Sequence, residues 1–145
     1  MKPTLMFVAA ALGMAASLAS AETFDVKMLN KGEAGKMIFE PSFIAAQPGD
    51  TVRFLATDKG HNAETVKGMV PEGMEPFKGK MNEEIEVELT TEGVIGVKCK
   101  PHLGMGMVMV IRVGDSEIPE DFLDTKMPKR AKKAFESIVA AATTN

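Results

Sequence analysis

The residues best suited to chemistry sit in one segment, Val97-Lys98-Cys99-Lys100-Pro101-His102-Leu103-Gly104-Met105-Gly106-Met107, and at one distant position, His61. Cys99 is the single cysteine of the chain, and His61 and His102 are its two histidines. A thiolate, an imidazole and a thioether are thus offered from one turn tightened by Pro101, Gly104 and Gly106. A second imidazole comes from the turn Lys59-Gly60-His61-Asn62. Thiolate and thioether suit Cu(I), and imidazole serves both oxidation states of copper. Two imidazoles and one thiolate in a trigonal set, with a long axial thioether, make an electron-transfer copper site. Spacing leaves open whether Met105 or Met107 supplies the thioether. Such a site keeps no position for a substrate, so the chemistry expected of it is electron shuttling and not catalysis.

Other readings use the same residues. A lone cysteine can be a buried, inert core residue, and two histidines can be ordinary surface residues, although this leaves their shared loop unexplained. Zinc accepts two histidines and a cysteine, but a thioether is a poor zinc ligand. Met105, Met107 and Met109 recur at every second residue, which on a strand puts them on one face, either a core stripe or a soft-metal track. The alternative function is therefore copper storage or delivery.

These ligands need a rigid frame, and the pattern supplies one. Phe24, Val26 and Met28 alternate with Asp25 and Lys27, as on a half-buried strand. Met37 to Glu40 is a short run ended by Pro41, and Pro48-Gly49-Asp50 turns into alternating Val52, Phe54 and Ala56. Ile85, Val87 and Leu89 alternate with Glu84, Glu86 and Glu88, Val94 to Lys98 follows the turn at Glu92-Gly93, and Met107 to Val113 is the last strand. Short strands at this spacing predict an all-β fold, a two-sheet antiparallel sandwich with Greek-key links. The ligand segment would bridge two core strands. Between Asn62 and Met81 the rhythm lapses amid Gly68, Pro71, Gly73, Pro76 and Gly79, which predicts a long surface excursion. Past Gly114 two C-terminal helices are expected within 117–142. A short one, capped by Asp115 or Ser116, runs through Glu120 to Thr125. An amphipathic one begins near Pro128, with Ala131, Ala134, Phe135, Ile138, Val139 and Ala142 on one face.

The first residues read as a leader: Met1-Lys2, an apolar run from Leu5 to Leu18, and the small-residue site Ala19-Ser20-Ala21. This is the order of a secretory signal peptide, 1–21, with a mature domain at 22–145. An unpaired thiol in an exported protein calls for a dimer bridge, a reactive site or a metal. Loss of the leader removes Lys2 and leaves a product slightly more acidic than the net charge of -3. That balance argues against nucleic acid as a partner, and no other stretch is apolar enough to anchor the chain in a membrane.

The ligand segment resembles the type 1 copper loop of the cupredoxins, Cys-x-x-His-x-x-x-x-Met, with the remote histidine followed by asparagine. From Glu22 onward the chain is similar to the pseudoazurin family through Val26-Lys27-Met28-Leu29-Asn30-Lys31-Gly32, Phe39-Glu40-Pro41, Pro48-Gly49-Asp50-Thr51-Val52, Asp58-Lys59-Gly60-His61-Asn62, Pro71-Glu72-Gly73 and the ligand segment itself. The resemblance implies a cupredoxin-like sandwich with one type 1 copper ion held by His61, Cys99, His102 and Met107, which selects Met107 over Met105. It also implies that Met37 packs near a copper-bound imidazole. The Asn62 amide is expected to donate to the cysteine sulfur while its side chain ties the loops together. Pro101 has no N–H to give that sulfur. Lys100 departs from the family, which often has threonine there.

The resemblance further implies a periplasmic monomer that meets redox partners through a ring of lysines around His102. Lys31, Lys59, Lys78, Lys98 and Lys100 are the candidates. The partner expected is copper nitrite reductase or a related reductase of denitrification, with a cytochrome c as possible donor. A basic face on an acidic protein would steer such an encounter.

Overall fold

The computed structural model describes residues 20–144; the expected leader falls outside them but for its last two positions. Eight strands are followed by one α-helix: β1 Thr23–Gly32, β2 Gly35–Glu40, β3 Phe43–Ala46, β4 Thr51–Leu55, β5 Glu64–Thr65, β6 Ile85–Glu88, β7 Gly93–Lys98, β8 Val108–Val113 and α1 Lys129–Thr143. One sheet has the order β2-β1-β4-β6 and the other β3-β8-β7-β5. The expected two-sheet sandwich is thus present, and alternation explains it. Val26 and Met28 of β1, Val52 and Phe54 of β4, and Phe39 of β2 turn inward to meet Ile95, Val97, Met109 and Ile111 of β7 and β8. Burying each such side chain contributes roughly 1.5–3 kcal/mol. Phe39 and Phe77 both pack against Phe54, with ring centroids 5.9 and 5.7 Å away.

The sheets are mixed, where an antiparallel sandwich was expected. β1 runs parallel to β4 and β3 parallel to β8. The chain leaves the first sheet after β2 and enters the second as β3, and this crossing sets the parallel pairs. Neither β3 nor β5 was foreseen, being four and two residues long. The excursion from Asn62 to Met81 is also less peripheral than expected. Val66 N–H donates to Gly96 O and Gly96 N–H to Met69 O, both at 2.8 Å, so the segment is laced to β7. Gly96 is needed there, because a Cβ would lie 2.8–3.0 Å from the Met69 side chain.

Of the two expected C-terminal helices, only the second forms. Residues 117–125 make isolated turns, Phe122 N–H to Pro119 O and Asp124 N–H to Asp121 O, both at 3.0 Å. Glu117, Glu120, Asp121 and Asp124 repel one another along so short a piece, and one turn cannot repay helix nucleation. Phe122 is nonetheless buried, edge-on to Phe135 of α1 at 6.4 Å. Helix α1 buries Ala131, Phe135 and Ala142, with Ala134, Ile138 and Val139 half-covered, which is the face its periodicity marked. This second core lies between α1 and Val94, Val108 and Val110 of the second sheet. Among the described residues no helix is long and apolar enough to cross a membrane.

Candidate metal centre

The ligand segment leaves β7 at Lys98, makes a 3-10 turn over Lys100–Met105, and re-enters the sheet at β8. Its backbone closes on itself. Cys99 N–H donates to Met107 O at 3.0 Å, His102 N–H to Cys99 O at 3.2 Å, Gly106 N–H to Leu103 O at 3.0 Å and Met107 N–H to His102 O at 3.2 Å. Gly106 sits at φ 88°, the left-handed region that ends the turn. Its bare Cα faces Arg130 O of α1, which a Cβ would meet at 3.1 Å. The second core therefore braces this loop from behind.

His61 arrives from the turn after β4 and is fully buried. Asn82 N–H donates to His61 O at 2.9 Å, and Asn82 Oδ1 accepts from Gly60 N–H at 2.6 Å. On the ring, Nε2–H donates to Asn30 Oδ1 at 2.8 Å. Asn30 is held in turn, its own N–H donating to Asp58 Oδ2 at 2.7 Å. This fixes the tautomer: the proton is on Nε2, and the Nδ1 lone pair points inward.

There Nδ1 of His61 meets Nδ1 of His102 at 3.1 Å, and Cys99 Sγ lies 3.7 and 3.5 Å from the two. The point equidistant from these three atoms is about 2.0 Å from each, the length of a metal–imidazole bond. The inward Nδ1 lone pair of His61 can take either the Nδ1–H of His102 or a cation at this point, and two imidazole nitrogens with a thiol sulfur fit a soft or borderline metal. Burial and the neighbouring His102 hold the His61 imidazole below its ordinary pKa, keeping it a neutral ligand. Burial pushes the Cys99 thiol up, against the backbone amides of Asn62 and His102 that face the sulfur. A metal would displace that proton.

Of the four expected ligands, His61, Cys99 and His102 converge. Met107 is fully buried one residue before β8 and shares a core cluster with Cys99. Met105 is 47% exposed, on the outside of the turn. Met37 packs on that same core cluster, with a positive φ of 52°. Asn62 does what the resemblance implied. Its amide faces the sulfur, and its Oδ1 accepts from Lys100 N–H at 2.8 Å. That the His102 amide also faces the sulfur was not foreseen.

Sequence reasoning missed Asn30, Asp58, Glu64 and Asn82. All four are turn or strand-end polar residues, and apart from the Glu64–Asn62 contact their partners are far away in sequence, so no local pattern marked them. Of the expected lysines, Lys31, Lys59, Lys78 and Lys100 are exposed, whereas Lys98 is largely covered and lies 3.4 Å from Glu64.

A mixed sandwich that presents two imidazoles and a thiolate at one end defines a class, and comparison with known proteins agrees. The family described as copper binding proteins, plastocyanin/azurin family, matches residues 26–114. The pseudoazurin of Paracoccus pantotrophus is 48% identical over 94% of this chain and 95% of its own length. The pseudoazurin of Methylorubrum extorquens is 48% identical over 72% of each chain. A solved pseudoazurin from Sinorhizobium aligns with a TM-score of 0.78 at 49% identity, covering 83% of this chain and 96% of that one. This chain belongs to the pseudoazurins, within the plastocyanin/azurin family of copper-binding proteins. Its fold is the cupredoxin fold and its metal is copper.

Proposed function

We propose that this chain is a periplasmic carrier of single electrons and not an enzyme, exported after loss of residues 1–21. Nδ1 of His61, Sγ of Cys99 and Nδ1 of His102 would hold one copper ion, with the Met107 thioether as a weak axial ligand. The observation that carries this reading is the triangle of donor atoms, preformed by hydrogen bonds that belong to the chain itself. Copper bound there supplies a one-electron couple. The chain supplies rigidity: His61 is pinned through Asn30, and the loop is closed by its own backbone and braced by α1. With donors that scarcely move, the reorganisation that opposes electron transfer stays small. With four protein ligands and a buried centre, no substrate has a place to bind.

The outlet for the electron is the edge of His102, the half-exposed ligand, within a rim of Pro101, Leu103, Gly104 and Met105. Four exposed lysines, Lys31, Lys59, Lys78 and Lys100, support a basic approach for an acidic redox partner, in a complex that forms fast and releases fast. Lys98 contributes less charge than the resemblance implied, because Glu64 offsets it. We take the acceptor to be copper nitrite reductase or a related reductase of denitrification, and a cytochrome c as the donor, on the strength of family membership.

The test is a visible spectrum of the mature protein with Cu(II). An intense thiolate-to-copper band, absent in Cys99→Ser and bleached by ascorbate, is expected. A protein that takes up Cu(I) alone and yields it to an apo-acceptor would instead be a copper-delivery protein.

A further inference from the structure

One buried charge near the centre has no part in the ligand set. Glu64 is 7% exposed, on the two-residue strand β5. Burying a carboxylate is costly unless its oxygens are paired, and here both are engaged. Oε2 accepts from Asn62 Nδ2 at 3.0 Å, and Oε1 lies 3.4 Å from Lys98 Nζ, its neighbour across the β5–β7 pair. The second Nδ2 proton of Asn62 goes to Gly79 O at 3.1 Å. The Asn62 amide is therefore saturated, and its orientation is dictated. With Nδ2 claimed by Glu64 and Gly79, Oδ1 must face Lys100, where it receives the backbone N–H next to Cys99 at 2.8 Å.

We propose that Glu64 is a positioning residue for the metal centre. Its carboxylate fixes the Asn62 amide, which joins the turn carrying His61 to the loop carrying Cys99 and His102, and Lys98 is the cation that makes the buried charge tolerable. The inference rests on the copper reading above and adds a residue to it. Without Glu64, Gly79 O alone would hold Nδ2 and one of its protons would lie unclaimed in a buried place, which weakens the hold against a flip that presents Nδ2 to the Lys100 N–H, donor against donor. The carboxylate removes that alternative, since it accepts and cannot donate. It also places a negative charge near Cys99, which by itself raises the proton affinity of the thiol. Lys98, on the strand that leads directly into Cys99, offsets that charge.

Two variants separate the hydrogen bond from the charge. Glu64→Gln keeps an acceptor for Asn62 and removes the charge, and Glu64→Leu removes both at similar volume. We expect the Gln variant to retain the thiolate-to-copper band and the metal-release rate to a chelator. The Leu variant should shift the band and release metal about tenfold faster, the size of effect seen when an outer-shell partner is lost. In the metal-free wild type, the Asn62 side-chain amide protons should be resolved by NMR and slow to exchange, and in Glu64→Leu they should exchange quickly. Slow exchange in the metal-free protein supports the proposal even if the Leu variant fails to fold. The proposal is overturned by both variants matching wild type in band and release, or by a solvent-averaged Asn62 amide in the wild type. A Gln variant as disturbed as the Leu variant also overturns it, by showing that charge and not orientation matters. Failure of the copper reading would look different, since the wild type itself would then show no thiolate-to-copper band.

Discussion

The two histidines of the centre come from loops built on opposite principles. His61 is fully buried; its Nε2 is tied to Asn30 and its carbonyl to Asn82. His102 is half-exposed, and among the described residues its ring makes hydrogen-bond-range contacts through Nδ1 alone, to His61 and Cys99. One side of the site is thus fixed by Asn30 and Asn82, from two other segments, and the other by the backbone of its own short loop and the helix behind it. The contrast teaches a division of labour. On the proposed function, the buried histidine sets where the metal sits, and the exposed one would give the electron a short way out. A carrier needs both, because a ligand cannot be walled in and also lie at a contact surface.

Replacement of each histidine tests this division most severely. His61→Ala should lower the stability of the metal-free protein by about 2–4 kcal/mol, since it opens a cavity and strands Asn30 Oδ1. His102→Ala should change it by less than about 0.5 kcal/mol, as a surface substitution does. Urea unfolding of both metal-free variants measures the difference, and equal losses would erase the contrast. Next in size, Gly106→Ala should cost about 1–2 kcal/mol, from its left-handed backbone and its contact with Arg130 O. Because that contact braces only the exposed ligand's loop, we expect the Gly106→Ala protein to lose copper to a chelator sooner, with the His61 ring still pinned by NMR.

Asn30→Ala attacks the buried side alone. Copper affinity should fall about 10–100-fold while stability falls only about 1 kcal/mol, and the tautomer signal of the His61 ring should become mixed. An unchanged tautomer would show that the ring is held by packing and not by the amide. The smallest effect expected is far from the site, at the exposed pair Asp25–Arg53, 2.8 Å apart on β1 and β4. The Arg53 guanidinium holds the Asp25 carboxyl below its usual range. Its folded pKa is thus depressed, so the stabilisation is present above the ordinary carboxylate pKa and is lost as pH falls through the folded value. Acid unfolding of Asp25→Asn should therefore converge with wild type at low pH, with the metal site unaffected throughout.

Much of this was legible in the sequence. The ligand segment announced itself because its donors are neighbours along the chain, β1, β4 and β6 because their inward residues alternate, and β7 and β8 as short apolar runs on either side of the ligand segment. β3 and β5 were not legible, being too short to show a period, and the parallel pairs were not because a crossing between sheets leaves no local mark. The helix expected at 117–125 failed for the converse reason: its capping residues and length satisfied a local rule, but of its side chains Phe122 alone is fully buried, with Ile118 and Leu123 only half-covered. The same limit hid Asn30 and Glu64. An asparagine beside a lysine and a glutamate opening a glycine- and proline-rich excursion look like ordinary surface, and only the fold turns them toward His61 and Asn62.

The register of β3 on β8 has a consequence in time. Phe43 pairs with Val110 and Ala46 with Val113, so the second sheet cannot close until nearly the whole sandwich has found its place. Contacts so distant along the chain make for slow folding, on the scale of milliseconds to seconds. During that interval Cys99, later fully buried, is an open thiol. A newly made molecule therefore passes through a window in which oxidation or pairing with another chain competes with closure of the sheet, and copper arriving during that window would protect the sulfur it is meant to occupy.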